Sequence, residues 1–224
     1  MMIPLKDENP SRSTPFFMVM ILLANIGVFV YSWLLGEIGF AIFLSRFGAI
    51  PFELTHATDA ISPTPIPLYA TLLTSMFIHG DWMHLGGNML YLWIFGNNIE
   101  DLTGHFRFVI FYLFCGVVAT LAHVLSDPGS TTPMVGASGA IAGVLGAYLA
   151  AFPGARILVL MFYFVLRVPA LIVLGAWFLI QLVNASGGMG GVAWYAHIVG
   201  FVVGYILIRW RKRKRHVVYE QWEY

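Results

Sequence analysis

Apolar residues run along this chain in long unbroken blocks, and polar residues gather in the gaps between them. A helix crossing a bilayer needs ~20 apolar residues, and its backbone must satisfy its own hydrogen bonds there. The blocks predict six membrane-spanning helices, at residues 16–35, 82–99, 106–125, 138–152, 168–183 and 192–210. Ser126, Asp127, Pro128 and Gly129 close the third, and Pro153 and Gly154 stop the fourth. The runs are continuous and do not alternate, which excludes a membrane β-barrel. The stretch 155–166 is apolar but short for a span, and Arg156 and Arg167 bracket it. It is expected to be a connection lying at the interface or packed on the bundle.

Composition agrees with the pattern. Hydrophobic residues make up 59% of the 224 positions and charged residues 10%, with a mean hydropathy of +0.79. Soluble domains carry about 25% charge, and disordered chains are polar, so a polytopic membrane protein remains. The net charge of +1 offers no field for nucleic acid. The single cysteine, Cys115, excludes an internal disulfide and reads as a packing residue. The first apolar run is too long for a signal-peptide core and reads as an uncleaved span.

Short basic segments stay in the cytoplasm. The cluster Arg209, Arg211, Lys212, Arg213, Lys214 and Arg215 therefore puts the C-terminus inside. An even number of spans puts the N-terminus inside as well, together with the connection carrying Arg156 and Arg167. The expected organisation is a cytoplasmic segment 1–15, a transmembrane domain 16–210 and a basic tail 211–224 that meets anionic headgroups. Segment 36–81 falls outside. At ~45 residues it is long for a passive connector, so a folded loop packed on the helices is expected.

Polar groups at membrane depth ask for a reason. Ser138 opens the fourth span within Gly136-Ala137-Ser138-Gly139. A serine there is commonly a helix cap, but the glycines permit a tight turn and a close approach to its hydroxyl. Gly139, Gly143 and Gly146 then form a small-residue face, and Gly200 and Gly204 form another on the sixth span. Pairing of those faces would bring His197 near Ser138, where a histidine can activate a serine. His84 and Asn88, spaced i, i+4, share one face of the second span, with His79 and Asp81 just before it. The chain lacks His-Glu-x-x-His, and no acid adjoins His84, so neither a metal nor any other cofactor is expected. His105 and His123 read as solvated or capping groups at helix ends. Asn184-Ala185-Ser186 reads as a chance match to a glycosylation triplet.

The ordered set His-x4-His-x3-Asn, Gly-x-Ser-Gly and Ala-His-x2-Gly resembles the rhomboid family of intramembrane serine proteases, over residues 73–204. The resemblance implies an all-α, six-helix bundle with a long structured first outer loop. It implies Ser138 as nucleophile and His197 as base. His84, Asn88 and the Ser138 amide would stabilise the oxyanion, with Gly136, Gly139, Gly200 and His79 supporting the site. Glu100 matches a family glutamate with a structural role, and 187–191 matches a mobile outer loop that gates access. Two departures stand out. Ala142 occupies the position of a family tyrosine that supports the histidine ring, so another group, such as an aromatic of the sixth helix, must orient His197. The first outer loop also lacks a Trp-Arg pair.

The implied activity is hydrolysis of a peptide bond in or beside a transmembrane helix of a single-pass or polytopic membrane protein. The expected setting is a multi-pass position in a bacterial inner membrane. One alternative is a pseudoprotease that binds membrane helices without cutting. A transporter or channel is disfavoured, because internal repeats are lacking and Gln181 is the main polar residue in the inner halves of the helices.

Overall fold

The computed structural model describes residues 2–59, 63–187 and 192–220. Strand β1 (Met2–Asp7) leads into helix α1 (Phe16–Leu34). Helices α2 (Gly36–Phe47) and α3 (Pro51–His56) follow, then the short α4 (Thr71–Thr74) between two 3-10 turns, Leu68–Ala70 and Ser75–Phe77. Then come α5 (Trp82–Thr103), α6 (His105–Ser126) and α7 (Ser138–Ala151). Strands β2 (Arg156–Met161) and β3 (Phe164–Pro169), α8 (Ala170–Ser186) and α9 (Trp194–Glu220) complete the order. The expected break between span and basic tail at 210 is not an element boundary, because α9 runs through it.

Helices α1 and α6 are each long and apolar enough to cross a membrane. The apolar helices α7 and α8 are shorter, at 14 and 17 residues. Large apolar side chains point outward along several helices, including Leu23 on α1, Ile110 on α6, Ile180 on α8 and Ile206 on α9. A surface this apolar would not stay bare in water. The core between helices is packed by Leu92 and Phe95 of α5, Tyr112 of α6 and Tyr148 of α7.

The expectation of an all-helical fold is corrected at one end of the bundle. The stretch expected as a plain connection forms an antiparallel hairpin, with Arg156 opposite Pro169 and Met161 opposite Phe164. Segment 1–15, expected as a cytoplasmic segment without further structure, supplies β1, which pairs with the other edge of β2. Ile157 and Val159 alternate inward and are fully buried. The pairing lets this short, mostly apolar stretch satisfy its backbone hydrogen bonds between strands. The turn hides from sequence reading because Phe162 takes φ 55°, where glycine or asparagine is the usual signal.

Two carboxylates tie this end together. Buried Glu100 accepts the amides of Phe17 at 3.0 Å and Met18 at 2.7 Å, capping α1, whose own N-cap residue, Pro15, supplies no side-chain bond. An anion at a helix N-terminus also meets the favourable end of the helix dipole. His105 bonds the same carboxylate, so it is more than a solvated end residue. Asp7 of β1 accepts from Asn98 of α5 at 2.7 Å and from Tyr148 of α7 at 3.0 Å. At the opposite end, residues 36–59 and 63–81 pack back on the helices. Ala49 and Met134 exchange backbone hydrogen bonds, and Gly136 donates to the Ser75 carbonyl at 2.9 Å. These contacts fix the approach to α7.

Glu100→Ala leaves the α1 amides without acceptors and is expected to destabilise the fold by about 1–3 kcal/mol, read as a lowered midpoint of thermal unfolding in detergent. Burial raises the Asp7 carboxyl above its ordinary value of 3.8, although the Tyr148 hydrogen bond opposes this. A raised folded-state value means that the folded state favours the neutral acid. That stabilisation is complete below about pH 3.9 and is lost as pH rises through the raised value. Asp7→Asn is expected to flatten the pH dependence of unfolding across the mildly acidic range, compared with the wild type in the same detergent.

Candidate active site

The closest helix pair in the fold is α7 with α9. A β-carbon built on Gly204 would lie 1.9 Å from the Gly143 carbonyl oxygen, and one on Gly146 would lie 1.9 Å from that of Phe201. One on Gly200 would lie 2.2 Å from the Gly139 carbonyl oxygen. A side chain at any of these positions would force the helices apart. Gly139 also faces α6, where a β-carbon would meet Ala119 at 2.7 Å. The two glycine faces named from the sequence therefore meet backbone to backbone.

This contact sets the first residue of α7 opposite the first turn of α9. His197 Nε2 lies 2.8 Å from Ser138 Oγ, and the two side chains line one cavity of about 440 Å³. Ser138 does not cap its helix. The N-cap position is Ala137, with no side-chain cap bond, so the hydroxyl is directed to the imidazole. The other ring nitrogen, Nδ1, lies 2.8 Å from Gln181 Oε1 of α8.

An aromatic of the last helix does touch His197, since Trp194 meets it edge-on at 6.1 Å. Trp177 of α8 lies tilted at 5.9 Å. The hydrogen bond, however, comes from Gln181 of α8, which stands at the end of the bundle that holds Ser138 and not at the opposite end, where the sequence reading put it. Only the packing of α8 against α9 reveals what it meets. Ala142 is buried against Gly200 at the helix contact and takes no part in holding the ring.

His84 and Asn88 reach the same cavity from α5. Asp81 caps that helix, accepting the His84 amide at 2.8 Å. The Gly80 amide faces His84 Nδ1 at 3.5 Å, which leaves Nε2 as the ring's N–H donor. That nitrogen sits beside Gly136, where φ is +123° and a β-carbon would lie 2.6 Å from it. Buried Asn88 holds an Nδ2 with no hydrogen-bond partner among the described residues. His79 packs behind His84, ring edge to face at 5.0 Å. Burial first, then the neighbouring His84, pushes His79 down to about 3, so it is neutral.

Chemically, the site offers a hydroxyl hydrogen-bonded to an imidazole, with two potential donors across a shared space. Among the described residues, no group of three or more His, Cys, Asp or Glu side chains could hold a metal ion. Residues 188–191, most of the segment expected to gate the site, lie outside the described residues.

Residues 68–213 match a family described as the Rhomboid domain. The chain is 35% identical over 150 residues to rhomboid protein 1, mitochondrial, of Saccharomyces cerevisiae, covering 62% of this chain and 41% of that protein. It is 30% identical over 155 residues to rhomboid-like protein 11, chloroplastic, of Arabidopsis thaliana, covering 63% and 52%. It is 34% identical over 122 residues to rhomboid protease GluP of Bacillus subtilis, covering 54% and 24%. The chain thus spans about half or less of the length of these relatives. Their names range over a mitochondrion, a chloroplast and a bacterium, a wider set of membranes than the bacterial one expected from the sequence.

Gly136→Ala places a methyl group against His84 in a backbone conformation that L-residues avoid. It is expected to lower stability by about 1–3 kcal/mol, measured by thermal unfolding in detergent. An unchanged midpoint would contradict the tight seating of His84.

Proposed function

The chain belongs to the rhomboid family, and from that premise we propose that it is an intramembrane serine endopeptidase. Ser138 Oγ attacks the carbonyl carbon of a peptide bond in or near a substrate's transmembrane helix. His197 Nε2 takes the hydroxyl proton and returns it to the leaving amine. Water then enters, gives its proton to His197 and attacks the acyl-enzyme. The ester bond breaks, and Ser138 regains its hydrogen. The observation that carries this reading is the 2.8 Å contact between the two groups inside a cavity.

The other residues take roles that fit their surroundings. A tetrahedral oxyanion is costly in a low-dielectric site, and a donor aimed at it contributes ~2.7–4 kcal/mol in other enzymes. His84 Nε2, the Asn88 amide and the backbone amide of Ser138 at the α7 N-terminus are the proposed donors. Gly136 keeps space for His84, while Gly139 and Gly200 let α7 and α9 close.

The six proposed crossings are α1, α5, α6, α7, α8 and α9, with both chain termini on the cytoplasmic side. At ~1.5 Å per residue, the 14 residues of α7 cover roughly 21 Å, less than the ~30 Å hydrocarbon core. Ser138 then lies below the outer surface, and the cavity supplies its water. A helical peptide bond is shielded by its own hydrogen bonds, so the substrate must unwind locally before attack. Single-pass and polytopic membrane proteins are the proposed substrates. Anionic headgroups on the cytoplasmic side are the proposed partners of the basic sequence at the end of the chain.

Purified protein incubated with a transmembrane substrate tests the reading. Ser138→Ala and His197→Ala are each expected to lower cleavage by roughly 10³-fold or more. Cleavage that survives either change would remove the assignment. A wild type that binds such helices and never cuts them would favour the pseudoprotease. His197 must be neutral to accept a proton, so the rate should fall on the acid side as its imidazole becomes protonated, in a profile carried as far into acid as the fold survives. A rate that holds after the imidazole is protonated would count against His197 as base.

A further inference from the structure

Gln181 is a buried amide within an apolar helix, 4% exposed, with both ends of its side chain engaged. Its Nε2 amide donates to the Trp177 carbonyl one turn earlier at 3.1 Å. A carbonyl oxygen can only accept, so this bond fixes which way the amide faces. Oε1 is thereby turned toward His197 Nδ1, 2.8 Å away. An amide oxygen can only accept as well, so Nδ1 must carry the imidazole proton. Nε2 is then left with its lone pair, 2.8 Å from Ser138 Oγ. The chain of bonds from Trp177 O through Gln181 to His197 runs in one direction and ends at the hydroxyl.

We propose that Gln181 is the positioning residue of this site, holding His197 in the one tautomer that can accept a proton from Ser138. The inference rests on the protease reading above for its consequence in rate, but the tautomer itself does not depend on catalysis. Among the described residues, no other group around the ring does this work. Trp177 and Trp194 limit its tilt and offer no acceptor to Nδ1 in the contacts they make. The titratable groups that face it are His84 from α5 and His123 from α6, with Asp81 on the rim of the same cavity. An acid in place of Gln181 would also accept from Nδ1, but it would bring a charge into an apolar helix contact, where desolvation is expensive. An amide supplies direction without that charge. The imidazolium formed during the reaction still keeps Nδ1–H bonded to Oε1.

The test uses the full chain in detergent, with Gln181→Leu and Gln181→Glu beside the wild type. Gln181→Leu is expected to lower kcat by roughly 10- to 100-fold, a part of the ~10²–10⁴ that general acid–base catalysis supplies, with KM unchanged. Gln181→Glu restores an acceptor and should recover much of that loss. Its added charge should also move the acid limb of the pH–rate profile to higher pH, which packing alone would not do. Nitrogen NMR of the histidine-labelled wild type should show the proton of neutral His197 on Nδ1, and Gln181→Leu should show a mixture. A wild-type kcat in Gln181→Leu, or a wild-type proton on Nε2, would overturn the proposal. If the wild type cuts no substrate, the protease reading fails by itself, and the NMR result still decides for or against Gln181. The NMR result on the wild type also decides if Gln181→Leu does not fold.

Discussion

The separation of α7 and α9 is the constraint on which the rest of the molecule turns. Gly146, Gly200 and Gly204 let the two backbones touch, with carbonyl groups lying where β-carbons would otherwise stand, while a β-carbon on Gly143 would meet Cys115 of α6. In lipid, helices gain little from burying apolar surface against each other, because the surroundings are equally apolar. Close van der Waals contact must supply the attraction, and glycine is the residue that permits it. The same closeness carries Ser138 to within hydrogen-bond distance of His197. Packing and site geometry are therefore one property of these helices. A methyl group added deep in the contact would move the chemistry as well as the fold.

The two ends of the bundle are built on different terms. One end is closed by a three-stranded sheet and by carboxylates with several partners, Glu100 on the first turn of α1 and Asp7 on α5 and α7. The other end keeps open space and leaves donors such as Asn88 Nδ2 without a partner among the described residues. Buried polar groups are usually satisfied, and an unsatisfied one is a group held ready for something else. Rigidity at the first end and unspent hydrogen-bonding capacity at the second suit a site that must admit a substrate without losing its frame.

Much of this is legible in the sequence. Long apolar blocks mark the helices, and small residues at spacings of three and four mark the α7 and α9 faces. Ser138, His197, His84 and Asn88 stand out because polar groups are rare in such blocks. Other features were hidden for physical reasons. The hairpin turn at Phe162 lacks the glycine or asparagine that announces such turns, and β1 pairs with residues more than a hundred positions away, which no local pattern reports. Gln181 has no motif around it. Its meaning comes from the rotation of α8 against α9, a tertiary fact. The role of Glu100 as a cap for α1 is of the same kind, since the capping group lies far from the helix it caps.

The central claim is that one hydroxyl in this chain is made nucleophilic by one imidazole. Mass-spectrometric mapping of a fluorophosphonate adduct on the intact protein in detergent addresses it most directly. The account predicts a single adduct on Ser138 in the wild type and no adduct when His197 is replaced by alanine. An unmodified Ser138, or an adduct that forms there equally well without the imidazole, would contradict it.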